Sequence, residues 1–139
     1  MNREQIKKIL PHREPMLLID EVQKDGEYSV GKYTVKGDEW FLQGHFPGNP
    51  IVPGVILCEM MAQSCCLLMD DVINNRITLL LKMDNIKIKD SVKPGDTVEF
   101  RCKLTNSKEP FYFAQSQAYK NGKICASGEF SFALKQKES

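Results

Sequence analysis

Residues 44–72, GHFPGNPIVPGVILCEMMAQSCCLLMDDV, constrain this chain more than any other stretch. Pro47, Pro50 and Pro53 each remove a backbone donor, and each pushes the residue before it away from helical angles. Residues 44–53 therefore form a stiff irregular loop. From Pro53 onward the chain is apolar on nearly every side, and only Glu59, Gln63 and Ser64 interrupt it before Asp70. No run in the chain is long enough to span a bilayer. A helix apolar all round is then a central, buried one. The pattern predicts a helix over about residues 54–71, with Pro53 at its first position and Asn74-Asn75 at its end. Such a helix needs something wrapped around it.

The wrapping is predicted to be β. Residues 2–9 read as a short helix, stopped by Pro11. A first strand is expected over 16–23 and a second over 28–35, joined at Asp25-Gly26. Residues 38–43 suit one helical turn. After the central helix, ITLLLKMDNIKIKDSV starts as an apolar run and becomes an alternation, and Lys93-Pro94-Gly95-Asp96 makes a turn. Along 97–104, Val98, Phe100, Cys102 and Leu104 alternate inward. Residues 111–119 and 123–134 flank Asn121-Gly122, the strongest hairpin signal present. Gly128 is placed to bend or bulge the last strand, and 135–139 reads as a polar tail. The sum is an α+β architecture, an antiparallel sheet over one long helix.

At 139 residues, with no internal repeat or linker, the chain reads as a single domain over 1–139. A net charge of +1 gives no general attraction to nucleic acid or membrane. The start, MNREQIKKIL, lacks the apolar core of a signal peptide, so a cytoplasmic location is expected. Cys58, Cys65, Cys66, Cys102 and Cys125 show neither paired nor zinc-ligand spacing. They are expected to be free, buried thiols, and no metal site is expected.

The chemistry gathers in the central stretch. Glu59 is a lone carboxylate among Val55, Ile56, Met60 and Ala62. An unpaired carboxylate in such surroundings favours its neutral form, as a general acid requires. Gln63, at i+4 on the same helix face, can orient it. His45 sits in the stiff loop and is the natural general base at neutral pH. The free N–H groups of Gly54 and Val55, at the positive end of the helix, can polarise a carbonyl oxygen, and Gly54 lets a ligand approach the backbone closely. Gly54 and Glu59 are about 7.5 Å apart along the axis. A β-hydroxyacyl group, with a hydrogen bond at each end, has a comparable span. Its carbonyl would meet the helix start and its hydroxyl Glu59, with His45 facing the carbon between.

The frame GHFPGNPIVPGVILCEMMAQ resembles the signature of the Z-type (3R)-hydroxyacyl-[acyl-carrier-protein] dehydratase family. LPHREPMLLIDEV is similar to that family's N-terminal motif and VKPGD to its later turn, so the resemblance covers nearly the whole chain. It implies a hot-dog fold, in which the sheet wraps the central helix. It implies dehydration of (3R)-hydroxyacyl-[acyl-carrier-protein] to the trans-2-enoyl form in type II fatty acid biosynthesis. His45 would take the C2 proton and Glu59 would protonate the departing hydroxyl. No cofactor is implied. Phe46, Pro47, Val52, Gly54 and Val55 would surround the substrate, and His12 and Arg13 carry over as structural residues only. The resemblance further implies a homodimer, often a trimer of dimers, with His45 of one subunit opposite Glu59 of the other.

The sister dehydratase/isomerase branch carries Asp as its acid, so Glu59 favours the Z-type. Departures concern the partner: a proline is usual where Ser91 stands, and Asp90 stands where a base is expected. Lys87, Lys89, Lys93 and Arg101 remain as candidates to contact the acidic carrier protein. Three other readings are open. The same site could also isomerise the double bond, which pocket shape decides. A thioesterase lacks an acid placed to activate water beside the helix start. A subunit that only binds acyl chains has no need of Glu59 in an apolar helix.

Overall fold

The computed structural model describes residues 1–73 and 75–137. A short helix, α1 (Arg3–Ile6), is followed by β1 (Glu21–Asp25) and β2 (Tyr28–Thr34). A 3₁₀ turn over Trp40–Leu42 leads into the proline loop and then α2 (Gly54–Gln63). A second 3₁₀ turn, Cys66–Leu68, precedes four long strands: β3 (Arg76–Ile88), β4 (Thr97–Lys108), β5 (Phe111–Lys120) and β6 (Lys123–Gln136). These make one six-stranded sheet in the order β1-β2-β4-β5-β6-β3, and every pairing is antiparallel.

Both predicted hairpins form. Gly26 has φ 61°, and Asn121 and Gly122 have φ 53° and 76°, the left-handed angles a two-residue turn needs. The inner face of the sheet buries Val98, Phe100, Cys102, Ala114, Ala118, Phe130 and Phe132 against Leu57, Met60 and Met61 of α2. A smaller core joins Ile6, Leu10, Leu17, Ile19 and Val22 to Cys66 and Leu67. All five cysteines are free and buried. With one helix inside a wrapped antiparallel sheet, this is the hot-dog fold.

α1 ends at Ile6, short of the expected residue 9, and β6 runs on to Gln136, into the expected polar tail. Four further details differ from expectation, each with a local cause. The central helix ends at Gln63, not near Asp71. The Ser64 hydroxyl bonds back to the Met60 carbonyl at 2.8 Å, and the Ser29 hydroxyl of β2 donates to the Ser64 carbonyl at 2.6 Å. The strand thus satisfies an orphan helix carbonyl and stops the helix there. Pro53 is the N-cap, with ψ 142°, rather than the first helical residue. Residues 16–20 are not strand, although Leu17, Leu18 and Ile19 are buried. The Leu18 N–H and the Met16 carbonyl bond instead to the side chain of Gln63, and the Met16 and Leu17 N–H groups turn back to the Arg13 carbonyl. Leu104 is 38% exposed because β4 runs on past the helix it packs against. The expected end of the helix at Asn74 lies outside the described residues.

Gly128 is tied to a bulge, but the extra residue belongs to β3. The register steps from Asp84↔Glu129 to Lys87↔Ser127, so Asn85 and Ile86 face Gly128 alone. A Cβ on Gly128 would lie 2.4 Å from Ile86 Cδ1. Beyond β6, β3 is an edge strand that carries Leu80, Leu81 and Met83 exposed.

Candidate active site

The loop before α2 is built to hold His45. Gly44 and Gly48 have φ of 82° and 71°, which few other residues accept. The His45 N–H donates to the Leu42 carbonyl at 3.1 Å, and the Ile51 N–H donates to the His45 carbonyl at 2.9 Å. The imidazole Nδ1 lies 2.9 Å from the Ile51 carbonyl. A carbonyl only accepts, so Nδ1 carries the proton and Nε2 keeps a free lone pair. That is the tautomer a general base needs. Phe46 stacks on the ring, with centroids 4.1 Å apart.

His45 lines a cavity of about 270 Å³ together with Val52, Gly54, Leu57, Ile88 and Lys89. The cavity opens on the start of α2. The first helical bonds there are from the N–H groups of Ile56 and Leu57 to the Pro53 carbonyl, at 2.9 and 3.1 Å. The N–H groups of Gly54 and Val55 precede them and have no earlier turn to bond to. Val52 is buried, and its N–H donates to the Val92 carbonyl at 2.8 Å. Val55 and Phe46 are exposed, at 73% and 51%, and Pro47 is exposed beside them.

Glu59 faces elsewhere. It lines a second cavity of about 220 Å³ with His12, Gln63, Thr78, Leu80 and Phe132. In a single chain, therefore, His45 and Glu59 do not share a cavity. Nor is Glu59 sealed from water, since 28% of its side chain is exposed. Gln63 is 2% exposed and is fully committed. Its Oε1 accepts the Leu18 N–H at 2.8 Å. Its Nε2 donates to the Met16 carbonyl at 2.7 Å and to Glu59 Oε2 at 3.1 Å. The Leu18 N–H fixes which end of the amide carries oxygen, so the Nε2 group must face Glu59.

His12, carried over as structural only, proves to lie beside the acid. Its Nε2 is 3.6 Å from Glu59 Oε2. Burial holds its imidazole below the ordinary value of 6.5; the Glu59 charge pulls it up and Arg13 pushes it down, both by less. Pro11, just before it, was predicted to stop the first helix, but α1 already ends at Ile6, and no local pattern marked His12 as a neighbour of Glu59. Of the cationic candidates, Lys89 lines the His45 cavity. Lys87 and Lys93 are exposed nearby in sequence, on β3 and in the turn before β4. Arg101 is not drawn to that cavity. It pairs with Asp25 at 2.8 Å and Glu99 at 3.3 Å and lies over the Tyr28 ring. Asp90 is neutralised within the chain by Lys120, at 3.0 Å, which also donates to the Ser91 carbonyl.

The sheet-wrapped helix and its His and Glu cavities define a class, and comparison with known proteins agrees. Residues 10–129 match the FabA-like domain, and the chain belongs to that family. It is 36% identical over 141 residues to the 3-hydroxyacyl-[acyl-carrier-protein] dehydratase FabZ of Clostridioides difficile, covering 99% of both chains. It is 38% identical over 136 residues to the enzyme of the same name from Halalkalibacterium halodurans, covering 95% of this chain and 97% of that one. Among solved structures, the dehydratase heterocomplex ApeI:P of Xenorhabdus doucetiae superposes with a TM-score of 0.81 at 20% identity. That match covers 95% of this chain and 91% of the other, and it speaks to the fold.

Proposed function

We propose that this protein is a 3-hydroxyacyl-[acyl-carrier-protein] dehydratase, a hydro-lyase of fatty acid biosynthesis. It would remove water from a (3R)-hydroxyacyl thioester to leave the trans-2-enoyl thioester. The observation that carries the reading beyond family membership is the state of His45. Its Nδ1 is engaged by the Ile51 carbonyl, and its Nε2 is free in a cavity that opens on the start of α2. In the reaction Nε2 takes a C2 proton, made acidic by the neighbouring thioester carbonyl. The Gly54 and Val55 N–H groups meet the charge that develops on that carbonyl oxygen. Glu59 gives its proton to the 3-hydroxyl, the C3–O bond breaks, and water leaves with the electron pair of that bond. His45 then holds one extra proton and Glu59 lacks one, and solvent restores both.

The carrier thioester is taken to be that of acyl carrier protein, with Lys87, Lys89 and Lys93 as its contacts. Arg101 is the weakest of the four candidates, because Asp25 and Glu99 already engage it. The reading includes a homodimer, assembled further as a trimer of dimers, working in the cytoplasm. Support for the dimer comes from two features. His45 and Glu59 line separate cavities of one chain, and the open edge of β3 exposes Leu80, Leu81 and Met83. Among the described residues, no helix is long and apolar enough to cross a membrane.

The test is turnover of (3R)-hydroxyacyl-carrier substrates, with products separated by double-bond position. Glu59→Gln and His45→Ala should each lower kcat by roughly 10²- to 10⁴-fold with the fold retained. Near-normal turnover in either variant would sink the assignment.

A further inference from the structure

The cavity beside Glu59 contains a group that the reaction above leaves idle. His12 reaches it from the loop after α1, and its Nε2 stands 3.6 Å from Glu59 Oε2. Its Nδ1 is buried with no hydrogen-bond partner among the described residues. A buried N–H without a partner costs more than a buried lone pair without one. The proton of neutral His12 therefore belongs on Nε2, pointing at the carboxyl. Gln63 Nε2 already donates to the same oxygen at 3.1 Å. Oε2 thus accepts one N–H from Gln63 and faces a second on His12, which marks it as the accepting oxygen of the acid. The acid proton is left to Oε1.

We propose that His12 is a positioning residue for Glu59. With Gln63 it fixes Oε2 as the hydrogen-bond acceptor, presents Oε1–H to the substrate hydroxyl, and stabilises the carboxylate that forms as that proton leaves. The present gap exceeds a direct hydrogen bond, and such contacts tighten when substrate is bound and charge develops. The role belongs to the neutral imidazole. When His12 is protonated, the proton beside Oε2 sits on the imidazole, and a cation next to a carboxyl favours the ionised form, not the acid that the reaction needs. In the dimer read above, His45 of the other chain would also face Glu59, and its titration is common to wild type and the His12 variants. Within one chain, few other charges bear on this pair. Arg13 directs its guanidinium to the carbonyls of Lys7, Leu10 and His12. From β3 and β6 the cavity wall is Thr78, Leu79, Leu80 and Phe132, none of which titrates.

The inference rests on the dehydratase reading, so wild type and Glu59→Gln are assayed first with a (3R)-hydroxybutyryl carrier thioester. No turnover by wild type defeats that reading itself. His12→Phe should then lower kcat about 10- to 100-fold, the effect of one hydrogen bond to a charged group, with KM within about threefold. His12→Gln, whose amide N–H falls near the position of Nε2, should recover activity to within about fivefold of wild type. The ratio of His12→Gln to wild-type activity should rise as pH falls from about 8 to about 5.5, because only wild type can store the shared proton on residue 12. Wild-type kcat in His12→Phe, or a folded His12→Gln no better than His12→Phe, overturns the proposal. If His12→Phe does not fold, His12→Gln decides, and a ratio flat with pH overturns it. A readout independent of turnover is nitrogen NMR of the histidines. His12 should be the Nε2–H tautomer at about pH 8, and its titration should move to lower pH in Glu59→Gln. An Nδ1–H tautomer overturns the proposal whatever the kinetics.

Discussion

Gln63 is where the architecture and the chemistry meet in one side chain. Its oxygen and both its amide hydrogens are used: by Leu18, by Met16 and by Glu59. The first two bonds replace a strand ladder for the segment before β1. The third aims the acid. Spacing alone marked Gln63 as a neighbour of Glu59, one helical turn on. It could not mark the other two partners, which are 45 and 47 residues away in sequence. Replacing Gln63 by Leu should therefore harm two things together. A buried Leu18 N–H and a Met16 carbonyl lose their partner, at about 1–3 kcal/mol each. We expect a loss of about 2–5 kcal/mol in urea unfolding and a fall in kcat in whatever folds. A variant as stable as wild type would mean that these bonds are not what holds residues 16–18 in place.

At the scale of elements, the legible parts were those dictated by local chemistry. The proline loop, the hairpins at Gly26 and Asn121-Gly122, and the existence of α2 all follow from residues next to one another. The length of α2 did not. Its apolar pattern runs on through Cys65, Cys66, Leu67 and Leu68, yet the helix stops where β2 meets it. Gly31 of β2 is the contact point, since a Cβ there would lie 2.2 Å from Ser64 Oγ and 2.7 Å from Ser64 Cβ. Strand and helix end are fitted to each other, with Ser29 capping the Ser64 carbonyl two residues away along the strand. Gly31→Ala should then cost at least about 2 kcal/mol by overpacking. Adding Ser64→Gly removes both crowding atoms, so the double variant should lose less stability than the two single losses added together. Thermal unfolding of the four proteins measures this, and simple additivity would exclude the clash as the cause.

The whole molecule raises a question that no single element answers, which is how His45 and Glu59, the proposed base and acid, would come to act on one substrate. Each is well held, yet within one chain they line different cavities. The residues around each explain why the sequence suggested one joint site: only the seven residues 46–52 of rigid loop lie between His45 and Pro53, and about one and two-thirds helical turns separate Pro53 from Glu59. That closeness along the chain is not closeness across it, because the side chain of Glu59 leaves α2 toward β3 and β6 while His45 stays at the helix start. A two-fold pairing of chains would bring unlike cavities together, and the exposed Leu80, Leu81 and Met83 on the open edge of β3 suit an apolar contact between copies. Complementation decides it. His45→Ala and Glu59→Gln proteins, each inactive alone, are unfolded together and refolded as a mixture. In a mixed dimer one site would join the intact His45 of one chain to the intact Glu59 of the other, and the second site would carry both changes. With random pairing, half the dimers are mixed and half their sites are intact, so about a quarter of wild-type activity should return. Leu81→Lys on the β3 edge should abolish that recovery and shift the protein toward monomer in sedimentation. If instead each chain held its own complete site, the mixture would stay as inactive as its parts.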